Sequence, residues 1–482
     1  MTDERATIPV PAPSLVPRRP KGIVLPLAFF LVTSLVLLLF APSLASLAIP
    51  AFGWLVAWVL YRRSPLTYVQ FVWWLFFLVC FARRLGDLRS AYSESNPMLA
   101  TPLLAALVCA PAIVQRREIW KSPLVLPFLL GLVSSVYGLA VGCISLPVKT
   151  LPATLLTWFA PPIFGFFILT ESIAAEKRAA LLRVLGRTFT LGTLLMGAYG
   201  IYQFVAAPPW DTLWMTGSEM NSIGSPEPFA IRVFSTMNGP GALAYALVAG
   251  LLLILPRSGM LAAIAGVLGF AVLLLSSVRA AWAALVIALV LFFFRQRRCF
   301  LRVLFAGALV AAASVAVLVL SPAQESMQDR FRSFTDLQDD TSYQQRTDGY
   351  AALLPYAIDS PFGSGLGTMD AKFRDSTDLG TRDSGIGEIL LSLGWIGGSV
   401  YFLGLAALVF HAWPRLRHAP AQETAAACIS IALLSQLPLG SVMLGVTGVE
   451  IWSFGAIAIA QFGSIDWPSR KGKQWLPDLA AA

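Results

Sequence analysis

The chain has 482 residues, of which 57% are hydrophobic and only 13% charged, with a mean hydropathy of +0.72. An ordinary soluble domain is about 45–50% apolar and about 25% charged, so the composition excludes a string of soluble domains, and it equally excludes a disordered or collagen-like chain. The formal charge is +9, from 35 Lys+Arg against 26 Asp+Glu, which points to nucleic acid or to a membrane surface until the charges are placed.

Residues 1–22 are polar and Pro-rich, with Arg18, Arg19 and Lys21 just before the apolar run 23–41. SLASLA at 43–48 resembles a signal-peptidase site, but the run exceeds the ~7–15 residues of a signal-peptide core, so an uncleaved first helix is expected. Further apolar stretches, each able to cross a hydrocarbon layer about 30 Å thick, occupy 43–60, 66–82, 98–114, 122–143, 151–171 and 188–207. A loop is expected at 208–232, then a span at 236–255. As one helix the run 260–294 would be about 52 Å long at ~1.5 Å per residue, so it is expected as two spans broken at Ser276, Ser277 and Arg279. The remaining spans are expected at 300–320, 388–411, 424–440 and 442–463, with one long polar segment at 321–387. Continuous apolar runs exclude a β-barrel, whose strands alternate apolar and polar residues.

The expected fold is therefore all-α: a polytopic transmembrane helical bundle of about 12–14 helices with one long periplasmic loop containing short helices. The expected organisation is a cytoplasmic tail at 1–22, helices 1–11 within 23–320, the periplasmic loop at 321–387, helices 12–14 within 388–463, and a cytoplasmic tail at 464–482. Threading from a cytoplasmic N-terminus puts most basic residues inside, among them Arg62, Arg63, Arg116, Arg117, Lys121, Lys177, Arg178, Arg183, Arg187, Arg257 and Arg295. Arg83 and Arg84 are the main discordant pair. A multi-pass protein of a bacterial inner membrane, with both termini cytoplasmic, is the expectation. The long segment then faces outward with 11 acidic and 6 basic residues, so the +9 reflects membrane orientation, and nucleic acid is not an expected partner. Cys80, Cys109, Cys143, Cys299 and Cys428 lie in or beside apolar segments without CxxC spacing, so neither a disulfide framework nor a metal site is expected.

Polar residues near the outward side need a reason, because arginine is costly at membrane depth, about 2.5–3.5 kcal/mol at a helix centre on insertion scales. Arg279 is either an interfacial residue snorkelling beside Trp282 or a fixed cation for an anionic head group. Arg232 comes from the same side, followed by Asn238, Gly239, Pro240 and Gly241, which either simply start a helix or leave backbone N–H groups able to bind phosphate oxygens. In the long segment, Arg346 and Asp348 begin an expected amphipathic helix at 343–358, and Asp336, Asp339 and Asp340 lack the spacing of an EF-hand loop. Asp383 or Ser384 is the N-cap of the next membrane helix, or else Asp383 is a carboxylate that accepts a proton from a sugar hydroxyl. Glu450 is a functional candidate if its helix surrounds it and ordinary if the helix begins near Gly448. The only histidines, His411 and His418, fall on the cytoplasmic side.

Taken together, IRVFSTMNGPGALA (231–244), SSVRAAW (276–282), the long outward segment, RTDGYAALLPYAIDSPFGSGLG (346–367) and DSGIGEILLSLGWIGG (383–398) resemble the O-antigen ligase and polymerase superfamily. The resemblance covers roughly 232–398 and leaves out the first seven helices. It implies an integral, metal-independent glycosyltransferase of the C type, without a cofactor, that takes an undecaprenyl-diphosphate-linked glycan as donor at the periplasmic face. It further implies that Arg232, Arg279 and Arg346 bind the diphosphate, that Asp383 is catalytic, and that Asn238, Arg382 and Glu388 support the site. The ligase pattern has a histidine where this sequence has Asp383, and that departure favours polymerisation of repeat units, for exopolysaccharide or O-antigen, over ligation of a finished glycan. A chain-length regulator is a further partner that polymerisation would bring. A transporter or flippase of lipid-linked glycans is the competing class, and a non-catalytic membrane scaffold a third. A transporter would line a midplane path with polar groups, which are scarce apart from Glu450, Gln203 and Gln436.

Overall fold

A computed structural model describes residues 22–143, 150–218, 223–296, 308, 359–367, 384–413 and 419–460. Among the described residues there are fifteen α-helices and no strand, and a single β-bridge joins Gly224 to Ile231. Seven helical stretches are long and apolar enough to cross a membrane, and four shorter apolar helices accompany them, so this is a multi-pass membrane protein built as a helical bundle. Nearly all of the span expected at 300–320 lies outside the described residues.

The first three helices, α1 (Val24–Phe40), α2 (Pro42–Arg63) and α3 (Pro65–Asp87), pack side by side. Proline opens α2 and α3, where its missing N–H costs nothing because the first helical N–H groups have no partner in any case. Leu25, Leu31, Val32 and Leu35 of α1 stay exposed, a surface that would aggregate in water and is ordinary in hydrocarbon. The span expected at 98–114 is broken: a 3₁₀ turn (Pro97–Ala100) leads into α4 (Thr101–Leu107) and then α5 (Pro111–Gln115). Pro111 lacks the N–H that would continue α4.

The next helices are α6 (Leu126–Gly142), α7 (Leu151–Ser172) and α8 (Ala175–Ala206). α8 starts well before the apolar stretch at 188–207, because Lys177, Arg178, Arg183 and Arg187 are good helix formers whose charges end hydrophobicity without ending the helix. The region 208–232, expected as a loop, contains α9 (Pro209–Ser218). There follow α10 (Pro240–Ile254), α11 (Met260–Leu275) and α12 (Arg279–Arg295), with the break between the last two at Ser276–Val278 as its length requires. Ser276 Oγ donates to Leu273 O at 2.6 Å and Trp282 Nε1 to the same carbonyl at 3.0 Å, which closes the end of α11 on the start of α12.

The last described helices are α13 (Gly385–Ala412), α14 (Ala421–Leu434) and α15 (Gly445–Ala460). α15 is the axis of the bundle: every residue from Thr447 to Ala460 is buried. Trp452 on α15 packs against Gly131 of α6 and Gly165 of α7, small residues that let membrane helices approach closely. α13 is kinked at Gly394 (φ 64°, ψ −169°), and the segment 361–367 docks into the kink. Ser364 N donates to Leu391 O at 2.8 Å and Gly365 N to Ser392 O at 2.9 Å, so carbonyls freed by the kink are satisfied by the inserted backbone, and Leu366 N donates to Gly138 O of α6 at 2.9 Å.

Gly394 occupies a backbone region essentially reserved for glycine, and a Cβ there would meet Pro361 O. Gly394→Ala is expected to cost at least ~1–3 kcal/mol. The expected readout is a lower melting temperature in detergent and faster proteolysis within 361–367; wild-type values for both would contradict the docked arrangement.

Candidate functional site

One end of the bundle collects the ends of α3, α8, α11 and α14, the starts of α10, α12, α13 and α15, and the helix α9. Arg84 near the end of α3 reaches Met237 ahead of α10, Gln203 near the end of α8 reaches Phe234 and Ser235, and Val233 N donates to Leu275 O at 3.2 Å. Gln296 after α12 donates to Ala419 O at 2.7 Å and Thr424 Oγ1 at 2.8 Å at the start of α14, so α14 ends beside the start of α12. A Cβ on Gly385, the first residue of α13, would meet Gly440 O and Leu437 just past α14.

The centre of this end is a buried ion pair that the sequence does not announce. Arg84 Nε lies 2.7 Å from Asp211 Oδ1, and both side chains are excluded from solvent. The Arg84 guanidinium also donates to Met237 O at 2.6 Å and to Ser235 O, and lies over the Phe234 ring at 4.9 Å. Asp211 Oδ2 accepts from Tyr199 OH at 2.7 Å and from Gln203 Nε2 at 2.7 Å. Burial pushes the Asp211 carboxyl above its ordinary range, and the Arg84 guanidinium with the Tyr199 and Gln203 hydrogen bonds opposes that push. Gln203 Oε1 in turn accepts from Phe234 N at 3.0 Å and Ser235 N at 2.8 Å, and Ser235 Oγ donates to Met196 O at 2.7 Å. A segment without regular hydrogen bonds, 233–237, thus has its backbone partnered by side chains from α3 and α8.

Arg232 stands at the start of that segment. Its backbone N donates to Ile223 O at 2.9 Å, and its side chain reaches the break between α11 and α12: Nε donates to Ser276 O at 2.7 Å and Nη2 to Ser277 O at 3.1 Å. Arg279 is the first residue of α12, two residues after Ser277, and is half-buried. The structure therefore brings Arg232 and Arg279 to one turn. Ser235 (φ 49°) and Ser277 (φ 53°) both have left-handed backbone, which is uncommon for serine, and the carbonyl of each is held by a guanidinium: Ser235 by Arg84, Ser277 by Arg232. Helix starts carry partial positive charge, so an arginine at the first position of α12 adds a second positive charge to the one at the helix end.

Asn238 follows the segment and is exposed, one residue before Gly239, the N-cap of α10. Ser384 is the N-cap of α13, its Oγ accepting from Gly387 N at 2.9 Å, so of the two expected caps it is the serine that the structure uses. Glu388 lies in the first turn of α13, half-buried. Arg346, Arg382 and Asp383 lie outside the described residues, as do Asp336, Asp339, Asp340 and Asp348. Glu450 is inside α15, and neither carboxylate oxygen has a hydrogen-bond partner among the described residues. Arg83, the other discordant arginine, pairs with Asp87 at 2.7 Å and donates to Ser93 O at 2.5 Å, tying down the connection after α3. The sequence signal for Arg83 and Arg84 was their violation of the charge pattern: they are consumed by internal pairs instead of lying at the lipid surface.

Removing one partner of a buried pair strands the other, at a cost of about 3–5 kcal/mol. Arg84→Gln and Asp211→Asn are each expected to lower the melting temperature in detergent markedly, and the double variant Arg84→Gln/Asp211→Asn to cost less than the two single changes added together. Additive losses across the cycle would contradict direct pairing.

Residues 264–402, from the middle of α11 into α13, match the family model described as O-Antigen ligase. The match includes the Ser276–Arg279 turn and the start of α13 and leaves out Arg84, Asp211 and Arg232. No curated protein and no solved structure matches the chain. Residues 264–402 are thus similar to the O-antigen ligase family, which supports a place for the chain in the O-antigen ligase and polymerase superfamily.

Proposed function

We propose that this protein is a membrane glycosyltransferase that polymerises undecaprenyl-diphosphate-linked oligosaccharide repeat units at the periplasmic face of a bacterial inner membrane, for exopolysaccharide or O-antigen. The observation that carries the reading is the Arg232 side chain gripping Ser276 and Ser277, which sets two arginines from separate segments at one turn at one end of the bundle. The family match supports ligase- or polymerase-type chemistry.

In this reading a hydroxyl oxygen of one lipid-linked unit attacks the anomeric carbon of the growing chain. The bond from that carbon to the diphosphate oxygen breaks, the diphosphate leaves with the electron pair, and the hydroxyl proton passes to a base. Negative charge grows on the leaving group, and preorganised guanidinium groups in a water-poor site stabilise it without a metal ion. Arg279 is the diphosphate contact. Arg232 contributes its cation and fixes the turn, Arg346 adds to the neutralisation, and Asp383 takes the proton, with Asn238, Arg382 and Glu388 in support. A chain-length regulator is the protein partner that polymerisation calls for.

Ligation of a finished glycan to another acceptor is the second reading, favoured by the description of the matching family. Cells lacking the protein separate the two: loss of a polymerase leaves single repeat units on carrier lipid, and loss of a ligase leaves long carrier-linked polymer.

Arg279→Ala is expected to abolish product while the protein inserts normally, and Arg279→Lys to restore little, because an ammonium lacks the bidentate fork. Arg232→Ala is expected to abolish product and also to lower stability, since Ser276 and Ser277 lose their donors. Wild-type product from Arg279→Ala would remove the diphosphate site. Asp383→Asn is expected to stop turnover of a defined lipid-linked repeat unit by the purified protein; unchanged turnover would deny it the role of base.

A further inference from the structure

The opposite end of the bundle holds another group of cations, and most of them have partners. Arg116 and Lys177 lie 3.0 and 3.9 Å from Glu171, and Arg178 lies 2.9 Å from Glu423. Arg63 donates to Gly22 O at 2.9 Å, while Arg62 and Arg295 sit over the rings of Trp58 and Trp413. Arg183, Arg187 and Arg257 make no ion pair among the described residues.

Arg257, in the connection between α10 and α11, lies across α8 at Gly186. Its Nη1 is 2.8 Å, and its Cδ 3.7 Å, from where a Cβ on that glycine would stand. The next residue on α8 is the exposed Arg187, so two guanidinium groups are neighbours with no carboxylate between them. Burial and the adjacent Arg187 charge both push the Arg257 guanidinium below its ordinary value.

Steps of four along α8 from Arg187 reach Leu191 and Leu195, which are 40% and 37% exposed. Arg187, Leu191 and Leu195 thus form one stripe on α8, on the face turned away from the seam where Thr193 and Gly197 of α8 meet Gly269 and Leu268 of α11. A cation pair is therefore continuous with an exposed apolar strip running toward the middle of the bundle.

We propose that this surface is a binding site for an anionic phospholipid, with the phosphodiester between Arg187 and Arg257 and an acyl chain along Leu191 and Leu195. Guanidinium groups bind phosphate oxygens through paired N–H donors, and an anion is what two like charges held together lack. The apolar strip selects a lipid over a free phosphate. The absence of a carboxylate beside the pair, among the described residues, selects an anionic lipid over one that brings its own ammonium group.

The test uses the purified full-length protein in detergent, titrated with phosphatidylglycerol, phosphatidylcholine or inorganic phosphate, reading bound lipid by native mass spectrometry and stability by thermal unfolding. Phosphatidylglycerol is expected to bind and raise the melting temperature, and phosphatidylcholine and phosphate to do neither. R187Q/R257Q is expected to weaken phosphatidylglycerol binding at least tenfold, while R117Q, which removes an exposed cation elsewhere, leaves it unchanged. Equal binding of the two lipids, an equal effect of phosphate alone, or wild-type affinity in R187Q/R257Q would overturn the proposal. The wild-type comparison of lipids requires no variant and decides the matter even if the double variant does not fold.

Discussion

A guanidinium and a carboxylate buried together at one end of a membrane bundle hold the rest of this site in place. Arg84 and Asp211 are each fully enclosed, and the Coulombic attraction between them is one of several interactions that offset their desolvation. Each also spends its remaining hydrogen-bonding capacity: Arg84 on the carbonyls of Ser235 and Met237, Asp211 on Tyr199 and Gln203. A buried pair is tolerable when its leftover donors and acceptors are satisfied, and here the backbone that leads from Arg232 to α10 takes Arg84's donors while Tyr199 and Gln203 of α8 supply Asp211. The pair thus specifies a conformation more than it adds stability.

The consequence is a site shaped by backbone turns and by arginines that hold them. Ser235 and Ser277 adopt left-handed conformations that serine does not prefer, and in each case a guanidinium on the carbonyl fixes the turn. The chain of contacts runs from α3 through Asp211 and Gln203 to 233–237, then through Arg232 to the turn that presents Arg279. Five segments are linked in this way, and four of them lie outside the region that matches the ligase family. Preorganisation of this kind is what electrostatic stabilisation of a leaving diphosphate requires, because charges already oriented need not reorganise as the bond breaks.

Some of this was legible in the sequence, where length and charge speak locally. The break at Ser276–Arg279 follows from an apolar run too long for one crossing, and the placement of Arg232 and Arg279 at one end follows from counting spans. The Arg84–Asp211 pair was not legible, because nothing local in FARRLGD or PWDTLW tells either residue that the other exists. The discordance of Arg83 and Arg84 with the charge pattern was the only trace. α9 was missed because a short stretch opened by Pro208 and Pro209 reads as a loop, and the kink at Gly394 because a glycine inside GWIGG reads as a packing position. At the start of α13 the sequence offered Asp383 and Ser384 as caps, and only the backbone geometry chooses Ser384.

The central claim is that the turn presenting Arg279, clasped by Arg232, receives the diphosphate of a lipid-linked glycan. The most direct measurement is a structure of the protein with a non-reacting lipid diphosphate bound. The account predicts phosphate oxygens within hydrogen-bonding distance of both Arg232 and Arg279, at the end of the bundle that holds the Arg84–Asp211 pair. A diphosphate seated away from that turn, with both arginines left without an anion, would contradict it.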